Sequence, residues 1–241
     1  MSGHSKWHNI QGRKGKQDAI RSSQFSKMSK IISIAARGGG DPAANFSLRL
    51  SIEKAKAVGM PKDNIERAIK KGTGELGGAQ IEEVIYEGYG PGGVAVLVKV
   101  LTDNKNRTVS DIKHLFADAG GSMGGAGSVM WMFEQLGIIT IDKNKLSGKV
   151  SRDDFDLQMI DAGAEDLEDS EDQIDIKTKM ENFQKVLNKV KELGIEPAES
   201  GLEWVAKDKV PVSDEIRSKL ERLFASFEEN DDVSDYYTNA V

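Results

Sequence analysis

The chain has 241 residues, 33 of them Lys or Arg and 39 Asp or Glu, for a formal net charge of −6. A general polycation that coats any nucleic acid is excluded by that total, and 38% hydrophobic with 30% charged residues describes a globular chain. The absence of cysteine removes disulfide frameworks, thiol nucleophiles and thiolate metal sites, in keeping with a reducing compartment. No apolar run approaches the roughly 18 residues of a membrane span. The opening Met1-Ser2-Gly3-His4-Ser5-Lys6-Trp7 lacks the apolar stretch of a secretory signal, so a cytoplasmic location is expected.

The charge is unevenly spread. Residues 1–80 carry 15 basic and 6 acidic side chains, net +9, residues 81–150 are net −1, and residues 151–241 carry 11 and 25, net −14. Such asymmetry is expected of a basic nucleic-acid-facing module joined to an acidic remainder, although two solvated surfaces of opposite sign give the same numbers. Lys6, Arg13, Lys14, Lys16, Arg21, Lys27, Lys30 and Arg37 face only Asp18 among acids, with Trp7, His8 and Phe25 between them. Basic side chains bind phosphates with release of counterions, and Trp or His stacks on unpaired bases. These eight cations with Trp7 and His8 form the expected nucleic-acid-binding set, while Trp7 would equally serve to anchor a tail on a helix.

Apolar residues recur at helical spacing from Gln17 to Arg37, and Gly38-Gly39-Gly40 ends the run. A second helix is marked by Leu48, Ile52, Ala55 and Val58. A third follows Pro61, with Gly72 as its stop. At Ile81 the period changes. Ile81–Tyr89 and Val94–Leu101 read as strands of a hairpin joined by Gly90-Pro91-Gly92-Gly93, followed by a helix over 104–119 and a strand Ser128–Glu134. The spacing next predicts a strand Gly137–Ile141, a helix 154–162, a poorly alternating acidic stretch to Ser170, a strand Gln173–Lys177, a helix Met180–Leu193 and a strand Leu202–Ala206, a β-α-β-β-α-β order if the acidic stretch hides a strand. That is the split β-α-β, ferredoxin-like order. A helix Ser213–Phe227 and a strand Val233–Thr238 complete the incomplete unit of residues 81–135, so the acidic unit reads as an insertion. The expected fold is multi-domain α+β: a basic helical domain 1–80, a discontinuous α+β domain 81–136 plus 208–241, and an inserted acidic ferredoxin-like domain 137–207.

Gly120-Gly121-Ser122-Met123-Gly124 matches G-x-S-x-G. A nucleophile elbow needs a strand before the serine and a histidine after it in the chain. Here a helix precedes and the last histidine is His114, so the segment reads as a glycine turn. His4 and His8 have helical metal spacing without a third ligand, and neither G-x-x-x-x-G-K-[ST] nor G-x-G-x-x-G occurs. No catalytic residue, metal site or cofactor is expected. The eleven acidic and no basic residues from Asp153 to Asp175 read as a solvated face that orients the basic helices toward a nucleic acid.

Longer motifs narrow the reading. Gly3-His4-Ser5-Lys6-Trp7, Ala35-Ala36-Arg37-Gly38-Gly39-Gly40-Asp41-Pro42, the run Met60–Ile69, Tyr86-Glu87-Gly88-Tyr89-Gly90-Pro91-Gly92-Gly93 and Leu101-Thr102-Asp103-Asn104-Lys105-Asn106-Arg107-Thr108 resemble the YebC/PmpR family. The resemblance covers nearly the whole chain and implies three domains, with the ferredoxin-like third inserted into the second. It implies a DNA-binding transcriptional regulator or, as an alternative, a ribosome-associated translation factor that contacts ribosomal RNA or tRNA and relieves stalling at proline runs. A protein-interaction factor without nucleic acid is a further alternative. The chain departs from the family pattern at Ile20 and Ser23, where relatives carry lysines, and at Phe46, where they carry proline. Asn104, Asn106 and Arg107 begin a helix whose donors suit a phosphate, or serve as ordinary capping. The expected partners are nucleic acid and the ribosome, with no membrane, for a monomeric protein.

Overall fold

The computed structural model describes residues 17–146 and 148–241, with side chains from Ser23 onward. Within them lie seven α-helices and two four-stranded sheets. Two compact units result: one from residues 131–210 and 237–241, the other from 17–130 and 211–236.

The second unit opens with three helices, α1 (Gln17–Ala35), α2 (Phe46–Ala57) and α3 (Lys62–Gly72). Their apolar stripes share one core, in which Ile32, Leu48 and Ala55 are fully buried and Ile52, Met60, Ile65 and Ala68 nearly so. The glycine run after α1 is organised by Asn45. Its side-chain oxygen caps α2 by accepting from Leu48 N–H at 3.0 Å, and its amide donates to the Ala35 and Gly39 carbonyls at 2.7 and 2.8 Å. One side chain thus satisfies the end of one helix and the start of the next. Gly72, expected only as a helix stop, lets α3 approach α1: a Cβ there would lie 2.2 Å from the Ser33 carbonyl oxygen and 2.7 Å from the Ala36 Cβ. Beside it, the buried Ser33 hydroxyl bonds the carbonyls of Ser29 and Ala68, each at 2.8 Å.

The same unit continues with β1 (Glu82–Tyr89) and β2 (Ala95–Thr102), antiparallel and joined by the expected glycine-rich turn, in which Gly92 and Gly93 have φ near +77° and +76°. Helix α4 (Lys105–Asp118) leads to β3 (Ser122–Met123), a short strand beside β1. The sheet order is β3-β1-β2-β8, completed by β8 (Val233–Thr238) after α7 (Asp214–Glu229). A late segment of the chain thus finishes a sheet begun 151 residues earlier, as 82 and 233 bracket the insertion. Four aromatic rings close this core: Phe116 meets Phe227 edge-on at 5.4 Å, and Phe224 stacks on Tyr236 at 4.7 Å.

The other unit has the order β4 (Phe133–Asp142), α5 (Arg152–Ala162), β5 (Ala164–Asp169), β6 (Gln173–Lys179), α6 (Phe183–Glu192) and β7 (Glu199–Ala206), with sheet order β5-β6-β4-β7 and every pairing antiparallel. This is the ferredoxin-like arrangement, and the acidic stretch does contain a strand. Within the expected strand Ser128–Glu134, Met130–Met132 form a 3-10 turn and only Phe133 and Glu134 are extended, running on through the expected Gly137–Ile141 as one strand, β4. Gly137 does not break it: the Phe183 ring packs where its Cβ would stand, 2.4 Å away. The acidic run is only partly a free face. Arg152 bonds Asp156 and Asp169, Lys143 bonds Asp169, Lys177 bonds Asp166 and Glu168, and the buried Asp175 accepts from the Thr140 hydroxyl at 2.6 Å.

Candidate nucleic-acid interface

Lys6, Trp7, His8, Arg13, Lys14 and Lys16 lie outside the described residues, as does the side chain of Arg21. The remaining three cations of the expected set bond within the protein, Lys27 and Lys30 half-buried and Arg37 exposed. The Lys27 ammonium donates to the Glu228 carbonyl at 2.7 Å, and burial pulls it below the ordinary lysine value against the pull of Glu228, Asp231 and Asp235. Lys30 donates to the Asp231 carbonyl at 2.8 Å and pairs with the Asp232 carboxylate. The Arg37 guanidinium donates to the Ile81 carbonyl. All three fasten the helices to the α+β part of the same unit.

Asp232 is the hub of this junction. It is buried, accepts from the Thr108 hydroxyl at 2.5 Å, and lies 3.5 Å from the Arg107 guanidinium. Burial would raise its carboxyl pKa, but Lys30, Thr108 and Arg107 hold it below the ordinary carboxylate range. Asp103 extends the chain of charges, 3.6 Å from Arg107 and 3.5 Å from Lys71. Asn104 caps α4 by accepting from Arg107 N–H at 3.1 Å, while Asn106 is exposed and its carbonyl accepts from Ser110 at 3.1 Å. The Asn104–Arg107 helix start is therefore a capping and ion-pairing element facing this network.

Exposed cations lie instead on α2 and α3. Arg49, Lys54, Lys56, Arg67 and Lys70 are exposed and form no ion pair among the described residues, whereas Lys62 pairs with Glu66 at 3.4 Å. Arg49 sits 5.1 Å over the ring of Phe46, which is 43% exposed. Sequence reading passed over these residues because each alternates with an acid or an apolar neighbour. Their helical positions, opposite Leu48, Ile52, Ala55, Ile65 and Ala68, are the signal that would have found them.

Between α1 and α3 a cleft of about 450 Å³ is lined by Ser26, Ser29, Lys30, Asn64, Arg67 and Lys71 among others. Farther along the unit, Glu87 is buried in β1 and accepts from three backbone N–H groups, Gly127 at 2.6 Å, Val129 at 2.8 Å and Met130 at 2.7 Å. Burial alone would raise its pKa, and the three donors hold it below the ordinary value. Ser122 of the G-x-S-x-G match is exposed on β3 after a helix, and His114 pairs with Asp118 at 3.2 Å on α4.

Two family models match, the TACO1/YebC N-terminal domain over residues 5–75 and the TACO1/YebC second and third domain over residues 81–240. The chain belongs to the TACO1/YebC family. Among TACO1/YebC relatives, a probable transcriptional regulatory protein of Thermoanaerobacter pseudethanolicus is 49% identical over 240 residues, covering 99% of this chain and 96% of its own. One of the same description from Carboxydothermus hydrogenoformans is also 49% identical, covering 99% and 98%. A conserved hypothetical protein of Aquifex aeolicus, solved by crystallography, superposes with a TM-score of 0.84 at 41% identity, over 98% of this chain and 96% of that one. The multi-domain α+β fold is thus that of the TACO1/YebC family. No helix among the described residues is long and apolar enough to cross a membrane.

Proposed function

We propose that this TACO1/YebC chain is a non-enzymatic regulator of gene expression that binds nucleic acid through its N-terminal helices. The observation that carries the reading is the set of five exposed cations that form no ion pair among the described residues, Arg49, Lys54, Lys56, Arg67 and Lys70, on two successive helices. Phosphates bind such a surface by counterion release, without sequence readout. The names of the relatives favour a transcriptional role, and DNA is the first target to test.

Phe46 supports a second reading. An exposed ring backed by Arg49 suits an unpaired base, which single-stranded or looped RNA offers and duplex DNA does not. In that version the protein acts at the ribosome on translation. Crosslinking in growing cells followed by sequencing distinguishes them: promoter DNA supports the first reading, ribosomal RNA the second, and recovery of neither removes both.

A further inference from the structure

The cleft between α1 and α3 has a composition that the fold does not account for. Arg67 lies on its wall, exposed, with no hydrogen-bond or ion-pair partner among the described residues, and the Asn64 amide is likewise unpaired there. Lys71 and Lys30 reach the same space while held from behind by carboxylates, Lys71 by Asp103 at 3.5 Å and Lys30 by Asp232. Those two carboxylates also serve Arg107, at 3.6 and 3.5 Å. Arg67 is the cation of this cleft that has no carboxylate partner among the described residues.

Here Asp232 and Asp103 fix the two lysines in position and leave the Arg67 guanidinium without a partner among the described residues. That is the arrangement that lowers the ordering cost of binding an anion. The fork of Arg67 matches the geometry of a phosphate, and the Asn64 amide adds a neutral donor. The cleft has room for a phosphate with its attached sugar.

We propose that this cleft seats one phosphate of a bound nucleic-acid backbone, with Arg67 as the principal contact and Lys71 and Asn64 beside it. The proposal rests on the nucleic-acid reading above. It places a fixed contact at the junction of α1 and α3, in addition to the diffuse attraction of the exposed lysines.

The test uses the full chain and two probes. Inorganic phosphate, titrated at constant ionic strength, is expected to shift the NMR signals of Ser29, Asn64, Arg67 and Lys71, and Arg67→Gln to abolish those shifts with the melting temperature unchanged. For an oligonucleotide of fixed length, Arg67→Gln is expected to lower the slope of log affinity against log salt by about 0.7–0.9, the value of one neutralised phosphate, with Arg67→Lys retaining it. Phosphate shifts spread equally over Lys54, Lys56 and Lys62 would overturn the proposal while leaving nucleic-acid binding intact. Localised phosphate shifts with no oligonucleotide binding would overturn the backbone assignment and the functional reading together, pointing to a free phosphate ester.

Discussion

The Lys30 ammonium on α1 pairs with the carboxylate of Asp232, a residue 202 positions further along the chain. Thr108 bonds the other oxygen of the same carboxylate, so three segments distant in sequence meet at one buried charge. Lys30→Ala would leave Asp232 buried with weaker compensation, at a cost of about 3 kcal/mol, the lower end for breaking a buried pair. Urea unfolding should show a lower midpoint at an unchanged m-value. An unchanged midpoint would mean that Arg107 alone satisfies the carboxylate.

Glu87 makes stability pH-dependent. Its folded pKa lies below the ordinary 4.5, so its contribution is complete above that value and is lost as pH falls through the lower folded one. Glu87→Gln should cost about 1–3 kcal/mol at neutral pH through weakened bonds to the loop. It should also flatten the acid limb of the stability curve and speed hydrogen exchange at Gly127, Val129 and Met130. Exchange rates equal to wild type at those three amides would show that the carboxylate does not hold the loop.

Binding and stability should separate by helix. Replacing Lys54, Lys56 and Lys70 by Ala is expected to weaken nucleic-acid binding about uniformly across sequences, lowering the salt slope by about 0.7–0.9 per lost phosphate contact. Stability should stay within about 0.5 kcal/mol of wild type, as for surface changes away from buried features. Lys27→Ala should do the reverse, lowering stability with an unchanged slope, because its ammonium is used on the Glu228 carbonyl. A fall in slope for Lys27→Ala would return the contact surface to α1.

Gly72→Ala tests the close approach of α3 to α1. The new methyl would overlap the Ser33 carbonyl oxygen, at 2.2 Å, so backbone must move. A loss of about 1–3 kcal/mol is expected, in the range of overpacked cores, despite the better helix propensity of alanine. A rise in melting temperature would show that the two helices separate freely.

The fold was largely legible because its elements announce themselves by period. The helices of residues 17–72 and five of the six elements of the acidic unit follow from apolar spacing, while the strand Ala164–Asp169 is too acidic to show by period and is implied only by the order of the others. The reading failed where a residue serves a tertiary contact. Gly137 looks like a break in β4 but makes room for Phe183, and Gly72, which does end its helix, also admits the Ser33 carbonyl, a second role that spacing does not show. The site was harder. Lys27, Lys30 and Arg37 look like a basic helix face because their partners, Glu228, Asp231, Asp232 and Ile81, lie 44 to 202 residues away. Charge in a local window says nothing about pairing at that distance. Arg67 and Lys70, among nearby acids in sequence, were overlooked, since only the folded helix shows which cations share its open side.

The Lys30–Asp232 pair also bears on the order of events during synthesis. A ribosome adds residues at roughly 5–20 per second and N-terminal parts fold first. For the time needed to extend the chain by 202 residues to Asp232, Lys30 waits without its carboxylate, and Lys27 waits through 201 for the carbonyl of Glu228. The nascent chain therefore presents more open positive charge than the finished protein, beside the RNA of the machine that is making it. The late arrival of α7 and β8 removes that charge, so completion of the chain, rather than any later ligand, first sets which cations remain for binding.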